Sequence, residues 1–326
     1  MKQRQSFSYA KYGYLFSIPF ILAFIVFNLY PTIYTAILGF TDCKGLGNTE
    51  WNILVDDLFK NFRNILKNPS FQTSLKNTFK IWMMNFIPQM TLALLLTAWF
   101  TSRRNTLKGQ GFFKVVFYMP NIITAASVAI LFNAFFGYPM GPVNDLLVSS
   151  GITEGPFNFI VSKTAQQWIV AFIQFWMWYG YTMIILISGI LGINPELFEA
   201  AEIDGATDFQ KFIYVTLPNL RTIMVYTLIT SLIGGLQMFD IPKLLVQNSG
   251  PDNATLTTSV FIYNQAFSGS YMYNRASAAS VIMFLISSVL SVFVFIIMQD
   301  KHDVKEQKLL KKVAKEQKKV ARKARG

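Results

Sequence analysis

The sequence predicts an all-α integral membrane protein with six transmembrane helices, and three observations carry that prediction. Of its 326 residues, 52% are hydrophobic and 14% charged, a balance outside that of soluble domains. Six stretches lack Asp, Glu, Lys and Arg and run for about twenty residues, the length a helix needs to cross a hydrocarbon core. The formal charge of +12 is gathered locally, since residues 300–326 hold eleven Lys/Arg against four Asp/Glu. That concentration in one tail argues against a nucleic-acid-binding surface.

The six stretches are residues 14–40, 81–101, 115–136, 165–193, 222–239 and 276–299. Backbone polar groups in lipid must be satisfied within the segment, so helices are expected rather than open strands. The first stretch follows a basic start and resembles a secretory signal, but it is too long and lacks a small-residue cleavage site before Pro31. It is therefore expected to be an uncleaved span. Pro19, Pro31, Pro88 and Pro120 lie in or beside spans and predict kinks or broken turns. Trp82, Trp99, Trp168 and Tyr271 fall near span ends, where amphipathic rings suit the membrane interface.

Charge sets the expected topology. With both termini inside, the inner segments carry twenty of the twenty-nine Lys/Arg, including Lys2, Arg4, Arg103, Arg104, Lys108, Lys211 and the tail. The positive-inside rule then puts residues 1–13, the 194–218 loop and the tail at 300–326 in the cytoplasm, with residues 14–299 forming the membrane domain. The tail itself reads as a mixed-charge helix facing water or lipid headgroups.

Several chemistries are excluded. A single cysteine, Cys43, and a single histidine, His302, leave no basis for a Cys/His metal site. No G-x-x-x-x-G-K-[ST] occurs, so the chain cannot hydrolyse ATP through a P-loop, and energy must come from elsewhere. The spans contain no carboxylate or histidine apart from Asp240 at the end of the fifth, whereas an ion-coupled carrier is expected to bury such groups.

The most informative segment is "EAAEIDGATDFQKFIYVTLP", residues 199–218. Asn194 suits an N-cap and Pro195 a first helical position, and Glu196, Glu199 and Glu202 lie in or near the first turns, where the helix dipole favours acids. Gly205 permits a conformation closed to other residues, and Thr207 with Gln210 makes a capping-box pattern that opens a second helix. There Phe209, Phe212 and Ile213 fall at i, i+3 and i+4, an apolar face that requires a partner. Pro218 marks the exit into the fifth span.

Glu199-Ala200-Ala201, then Gly205, then Val215, Leu217 and Pro218 resemble the EAA loop of binding-protein-dependent ABC-transporter permeases, with Val in place of the usual Ile. Weaker echoes such as "FFKVVFYMPNIITAASVAILFNAFFG" and "QNSGPDNATLTTSVFIYNQAF" are similar to the sugar-importer branch, and within it to the first membrane subunit of the maltose transporter. The resemblance implies a type I ABC-importer permease fold with a cytoplasmic coupling helix in the bacterial plasma membrane. It implies a non-enzymatic subunit that binds no cofactor, with ATP and Mg used by two partner ATPases. A second homologous permease, an extracytoplasmic solute-binding protein, a sugar and membrane lipid complete the implied partners.

For the substrate path, the residues themselves offer two sets. Gln174, Trp176, Trp178, Tyr179 and Tyr181 in "QFWMWYGYTM", with Asn85, Gln89, Gly234, Gly235 and Gln237, combine stacking faces with hydrogen-bonding groups suited to sugars. Alignment with the maltose relative implies Trp176, Tyr179, Gly180 and Met183 on the fourth span and Leu232, Gly235 and Leu236 on the fifth, only Gly180 keeping the relative's residue type. An anionic solute such as a glycerol phosphate ester would call for Arg or Lys, absent from these spans. A membrane scaffold and an ion-coupled carrier are the remaining alternatives.

Overall fold

A computed structural model describes residues 10–48, 50–102, 108–269 and 271–298. The first nine residues, Arg103 and Arg104, and the basic tail lie outside the described residues. Among the described residues the chain is helical, and its only β pairing is an isolated bridge between Thr41 and Ile53.

Five helices are long and apolar enough to cross a membrane, Lys11–Leu38, Pro69–Thr101, Lys163–Leu191, Arg221–Leu245 and Tyr273–Met298, and a bent pair makes a sixth span. The first of them comprises α1 (Ala10–Phe24), a π turn (Ile25–Leu29) and α2 (Tyr30–Leu38). A second π turn, Phe212–Thr216, lies in the 194–218 loop. Both precede a proline, whereas Pro19, Pro88 and Pro120 sit within α-helices without such a turn. A proline ring collides with the carbonyl four residues earlier, and Pro31 and Pro218 stand four residues after Phe27 and Tyr214, inside the two turns. The wider turn relieves the collision, and Tyr30 and Leu217 donate instead to the carbonyls five residues back, Ile25 and Phe212.

Contacts divide the chain into two units. The first comprises residues up to Gln72 together with Phe261–Leu285. Its centre is an amide relay, in which buried Asn61 donates to the carbonyls of Gly39 (3.0 Å) and Thr41 (2.8 Å) and accepts from Asn274 (3.3 Å). Helix α3 (Lys60–Lys67) supplies Asn61, and α15 (Tyr273–Met298) supplies Asn274. Phe71 packs on Phe261 with ring centroids 5.4 Å apart. Most side chains of α1 and α2 are exposed in this chain, as expected for a helix covered by lipid or by another membrane subunit.

The second unit comprises Thr73–Val260 and the chain from Ile286. Helix α4 (Pro69–Thr101) has 33 residues, about 50 Å at 1.5 Å per residue, longer than the roughly 30 Å hydrocarbon core. It therefore begins well before the apolar stretch at residue 81, with Asn68 accepting from the amides of Ser70 and Phe71 at its start. The third stretch is not one rod. Helices α5 (Gln110–Ile122) and α6 (Ala125–Phe135) meet at 91°, because Ile123 turns extended and Thr124 caps α6 by accepting from the Ser127 amide. A capping threonine inside an apolar run is a local signal that run length alone does not reveal.

Helix α8 (Lys163–Leu191) is the hub of this unit, with α5 and α12 (Arg221–Leu236) packed along it. Gly180 fixes the crossing with α5, since a Cβ there would lie 2.0 Å from the Phe117 carbonyl oxygen and 2.9 Å from the Tyr118 Cα. One core, around Val128, Ile173 and Met177, joins α8 to α6 and α13 (Asp240–Leu245). The other, around Ala93, Met183, Leu186 and Leu220, joins it to α4 and α12.

Candidate functional site

A cavity of about 310 Å³ opens within the second unit. Three helices each give it one stripe at helical spacing. Helix α4 contributes Trp82, Asn85 and Gln89, α8 contributes Gln174, Met177, Trp178, Tyr181 and Thr182, and α12 contributes Thr227, Thr230, Ser231 and Gly234. Residues three, four and seven apart share a helix face, so each wall is one continuous face. Asp240 is the only charged residue in the lining, and Gly235 and Gln237 belong to it.

The walls are cross-tied. Gln89 donates to the Thr182 hydroxyl at 2.8 Å, and the Trp82 indole N–H donates to Ser231 at 3.3 Å. Gly235 lies under the Trp82 ring, where a Cβ would fall 2.1 Å from its Cδ1, whereas next to Gly234 nothing comes within 4 Å. Lys80 donates to Gln167 at 2.7 Å, and Asn77 donates to the carbonyls of Asn253 (2.7 Å) and Leu256 (3.3 Å). These amides hold a loop in which Asn248, Ser249, Gly250, Asp252 and Asn253 all have positive φ, a conformation that persists only where the surroundings enforce it.

The other sequence-derived path residues lie elsewhere. Trp176 packs edge-on against Phe132 (5.5 Å), and Tyr179 packs against Phe117 (6.3 Å) and Phe175 (5.6 Å). Met183, Leu232 and Leu236 are buried in the core, and Gly180 is closed against α5. The α8 residues in the cavity wall thus stand on a different face from Trp176, Tyr179, Gly180 and Met183. Both faces show aromatics at helical spacing, so periodicity alone names two candidates. The α12 stripe of Thr227, Thr230 and Ser231 escaped the sequence reading, although three hydroxyls at i, i+3 and i+4 were its available signal.

The 194–218 loop forms a second feature. Helix α9 (Pro195–Ile203) is capped by Asn194, which accepts from the Glu196 amide at 3.1 Å. Gly205 turns the chain at φ +76°, in the left-handed region that glycine enters without a Cβ penalty. Helix α10 (Asp208–Lys211) then starts on a complete capping box, Thr207 with Gln210. Lys211 bridges the two helices, donating to Glu202 at 2.8 Å and pairing with Asp208 at 2.9 Å. Its amino group is held above the ordinary lysine range, first by the hydrogen bond to Glu202 and then by that to Asp208.

Exposure divides the apolar residues of this loop. Phe209 is exposed, while Phe212 and Ile213 are half-buried and, with Trp99, Phe100 and Phe198, line a cleft of about 640 Å³ beneath the loop. Glu199, Ala200 and Pro218 are exposed, and Ala201 and Leu217 half-buried. Leu197, Ile203 and Tyr214 are also exposed, Ile203 at 87%. The exposed apolar surface of the loop therefore extends onto α9, beyond the face read from the second helix alone.

Comparison with known proteins identifies the family and the fold. Residues 70–305 match the family described as the binding-protein-dependent transport system inner membrane component. The lactose transport system permease protein of Rhizobium radiobacter is 30% identical over 284 residues, covering 87% of this chain and 92% of that protein. The arabinooligosaccharides transport system permease protein of Bacillus subtilis is 31% identical over 277 residues, covering 84% of each. A solved bacterial ABC transporter involved in the import of the acidic polysaccharide alginate shares the fold, with a TM-score of 0.70 over 87% of this chain and 94% of that one at 24% identity. A second structure of an alginate transporter, in complex with an alginate pentasaccharide-bound periplasmic protein, gives 0.69 at 23% identity over 86% and 91%. A family match over residues 70–305, most of the chain, places this protein among the inner membrane components of binding-protein-dependent transport systems.

Proposed function

We propose that this chain is one of two membrane-spanning halves of an ATP-driven importer for a neutral sugar or oligosaccharide, and that the cavity between α4, α8 and α12 is its share of the substrate path. The observation that carries this is the cavity lining. Trp82, Trp178 and Tyr181 offer ring faces, and Asn85, Gln89, Gln174, Thr182, Thr230 and Ser231 offer neutral hydrogen-bonding groups, the pairing that a sugar's apolar face and hydroxyls require. Relatives named for lactose and arabinooligosaccharides support the class. Among the described residues the lining contains no Lys or Arg, so a phosphate ester or uronate would meet Asp240 and no compensating cation there.

In this reading the 194–218 loop faces the cytoplasm, as the charge distribution favours, and docks in a groove of one of two ATPase subunits. Glu199, Ala200, Ala201, Gly205, Leu217 and Pro218 form its frame, and Leu197, Ile203, Phe209 and Tyr214 its exposed apolar contacts. ATP and Mg act in those partners, whose closure pushes on the loop and turns the path from inward-facing to outward-facing. A solute-binding protein delivers the sugar on the opposite side, as the periplasmic protein in the alginate complex suggests. The other path residues read from the sequence, Trp176, Tyr179, Gly180, Met183, Leu232 and Leu236, act here by packing the wall behind the cavity. The test is a mild-detergent pull-down of this chain from its native membranes with mass spectrometry. Recovery of a second permease, a P-loop ATPase and a binding protein is the expected result, and recovery of the chain alone overturns the assignment.

A further inference from the structure

Two of the three cavity walls are continuous with the loop. Helix α8 ends at Leu191, just before it, and α12 starts at Arg221, just after it. Helix α4 has no such continuity, yet it supplies Trp82, Asn85 and Gln89 to the cavity. A polar contact closes that gap. Ser102, the residue after α4 ends, donates its hydroxyl to Asp208 Oδ2 at 3.3 Å, while Asp208 Oδ1 pairs with the Lys211 amino group at 2.9 Å. Lys211 in turn donates to Glu202 on α9 at 2.8 Å. The Gln110 side chain also donates to the Phe100 carbonyl, fastening the start of α5 to the same end of α4.

We propose that Ser102, Asp208, Lys211 and Glu202 form a polar pin that fixes the two loop helices across Gly205 and ties them to α4, so that displacement of the loop reaches the third wall of the cavity. The residues have distinct tasks. Gly205 supplies the turn but leaves it without side-chain support, since nothing comes within 4 Å of its Cβ position. Lys211 supplies that support from both sides, and its side chain is 13% exposed against 44% for Glu202 and 38% for Asp208. The pin's two carboxylates stand open to water, where screening keeps its contribution to stability small. Its effect is geometric, because one cation held by carboxylates on both helices stops the elbow from flexing under load. Helix α4 then carries the movement about 25 Å from Ser102 to Asn85, at 1.5 Å per residue.

The proposal rests on the importer reading, and the experiment separates the two. In the assembled transporter, with Cys43→Ser removing the chain's one thiol, a single cysteine is placed at Asn85 on α4 or at Thr230 on α12. The labelling rate with a charged maleimide is compared with and without Mg-ATP and vanadate. In Ser102→Ala and Lys211→Met, the ATP-dependent change at Asn85→Cys is expected to fall about fivefold, the low end of ordinary coupling between sites. The change at Thr230→Cys persists, because α12 remains joined to the loop by the backbone. Ser102→Thr and Lys211→Arg, which keep the hydroxyl and the cation, are expected to retain the response at Asn85. An unchanged response at Asn85 in both single variants overturns the pin, as does equal loss at both positions. Loss of the ATPase from the Lys211→Met complex also overturns it, since Lys211 would then act in docking. No ATP response at either position without these substitutions overturns the importer reading instead.

Discussion

Gly235→Ala is the sharpest perturbation of the cavity wall. The added methyl would lie 2.1 Å from Trp82 Cδ1 and 2.7 Å from Cγ, against the 3.5–4.0 Å at which carbon atoms normally rest (about 1.5 Å of overlap). Either α12 retreats or the indole moves, and the indole is hemmed in by Phe86, stacked at 5.3 Å, and by Phe79, edge-on at 6.3 Å. Overpacking of this kind costs about 1–3 kcal/mol, offset by about 0.8–1.0 kcal/mol from replacing a helical glycine with alanine. The net is about zero to 2 kcal/mol of destabilisation, with the contact between Trp82 and α12 disturbed whichever side yields. Gly234→Ala is a matched control, because it takes the same helix gain and meets nothing within 4 Å. The assay is thermal unfolding of the purified transporter together with uptake of a labelled sugar panel containing lactose and arabino-oligosaccharides. Gly235→Ala should melt below Gly234→Ala and show altered uptake; equal melting and equal uptake by the two variants would refute the reasoning.

The two aromatic faces of α8 should respond in opposite ways. Trp178→Ala and Tyr181→Ala, in the cavity lining, should weaken uptake while the complex still assembles. Trp176→Ala and Tyr179→Ala, packed against Phe132 and Phe117, should lower yield and melting temperature by removing about 3–5 kcal/mol of core packing. Gly205→Ala adds no clash but forces alanine to φ +76°, so it should cost about 1–2 kcal/mol and loosen ATPase co-purification without affecting membrane insertion. Phe209→Asp places a charge on an exposed apolar position and should reduce the ATPase recovered in a pull-down while leaving the melting temperature unchanged. Asn77→Ala strands the carbonyls of Asn253 and Leu256 at about 1–3 kcal/mol, and should make the 247–258 segment a site of protease cleavage.

Much of this architecture is written locally in the chain. A span is legible because apolar run length is a one-dimensional property, and the EAA loop is legible because Asn194, Gly205, Thr207 and Gln210 act on their own neighbours. The π turns are local as well, each followed two residues after its end by a proline. The break at Ile123–Thr124 was also present, as a threonine cap within an apolar run, but run length hides it. What a helix faces is a different matter. Helix α8 carries Phe, Trp or Tyr on every side because lipid, protein core and cavity all accept aromatic rings, so no hydrophobic stripe marks its inward face. The packing of α5 against Gly180 and Tyr179, and of α6 against Trp176, set those two rings against protein and left Gln174, Trp178 and Tyr181 in the cavity. The link from Ser102 to Asp208 is likewise a product of tertiary structure, joining residues 106 positions apart in sequence. Length, charge and capping thus determined the spans and the 194–218 loop, while rotation and proximity, which depend on neighbours distant in the chain, decided the cavity and its connection to the loop.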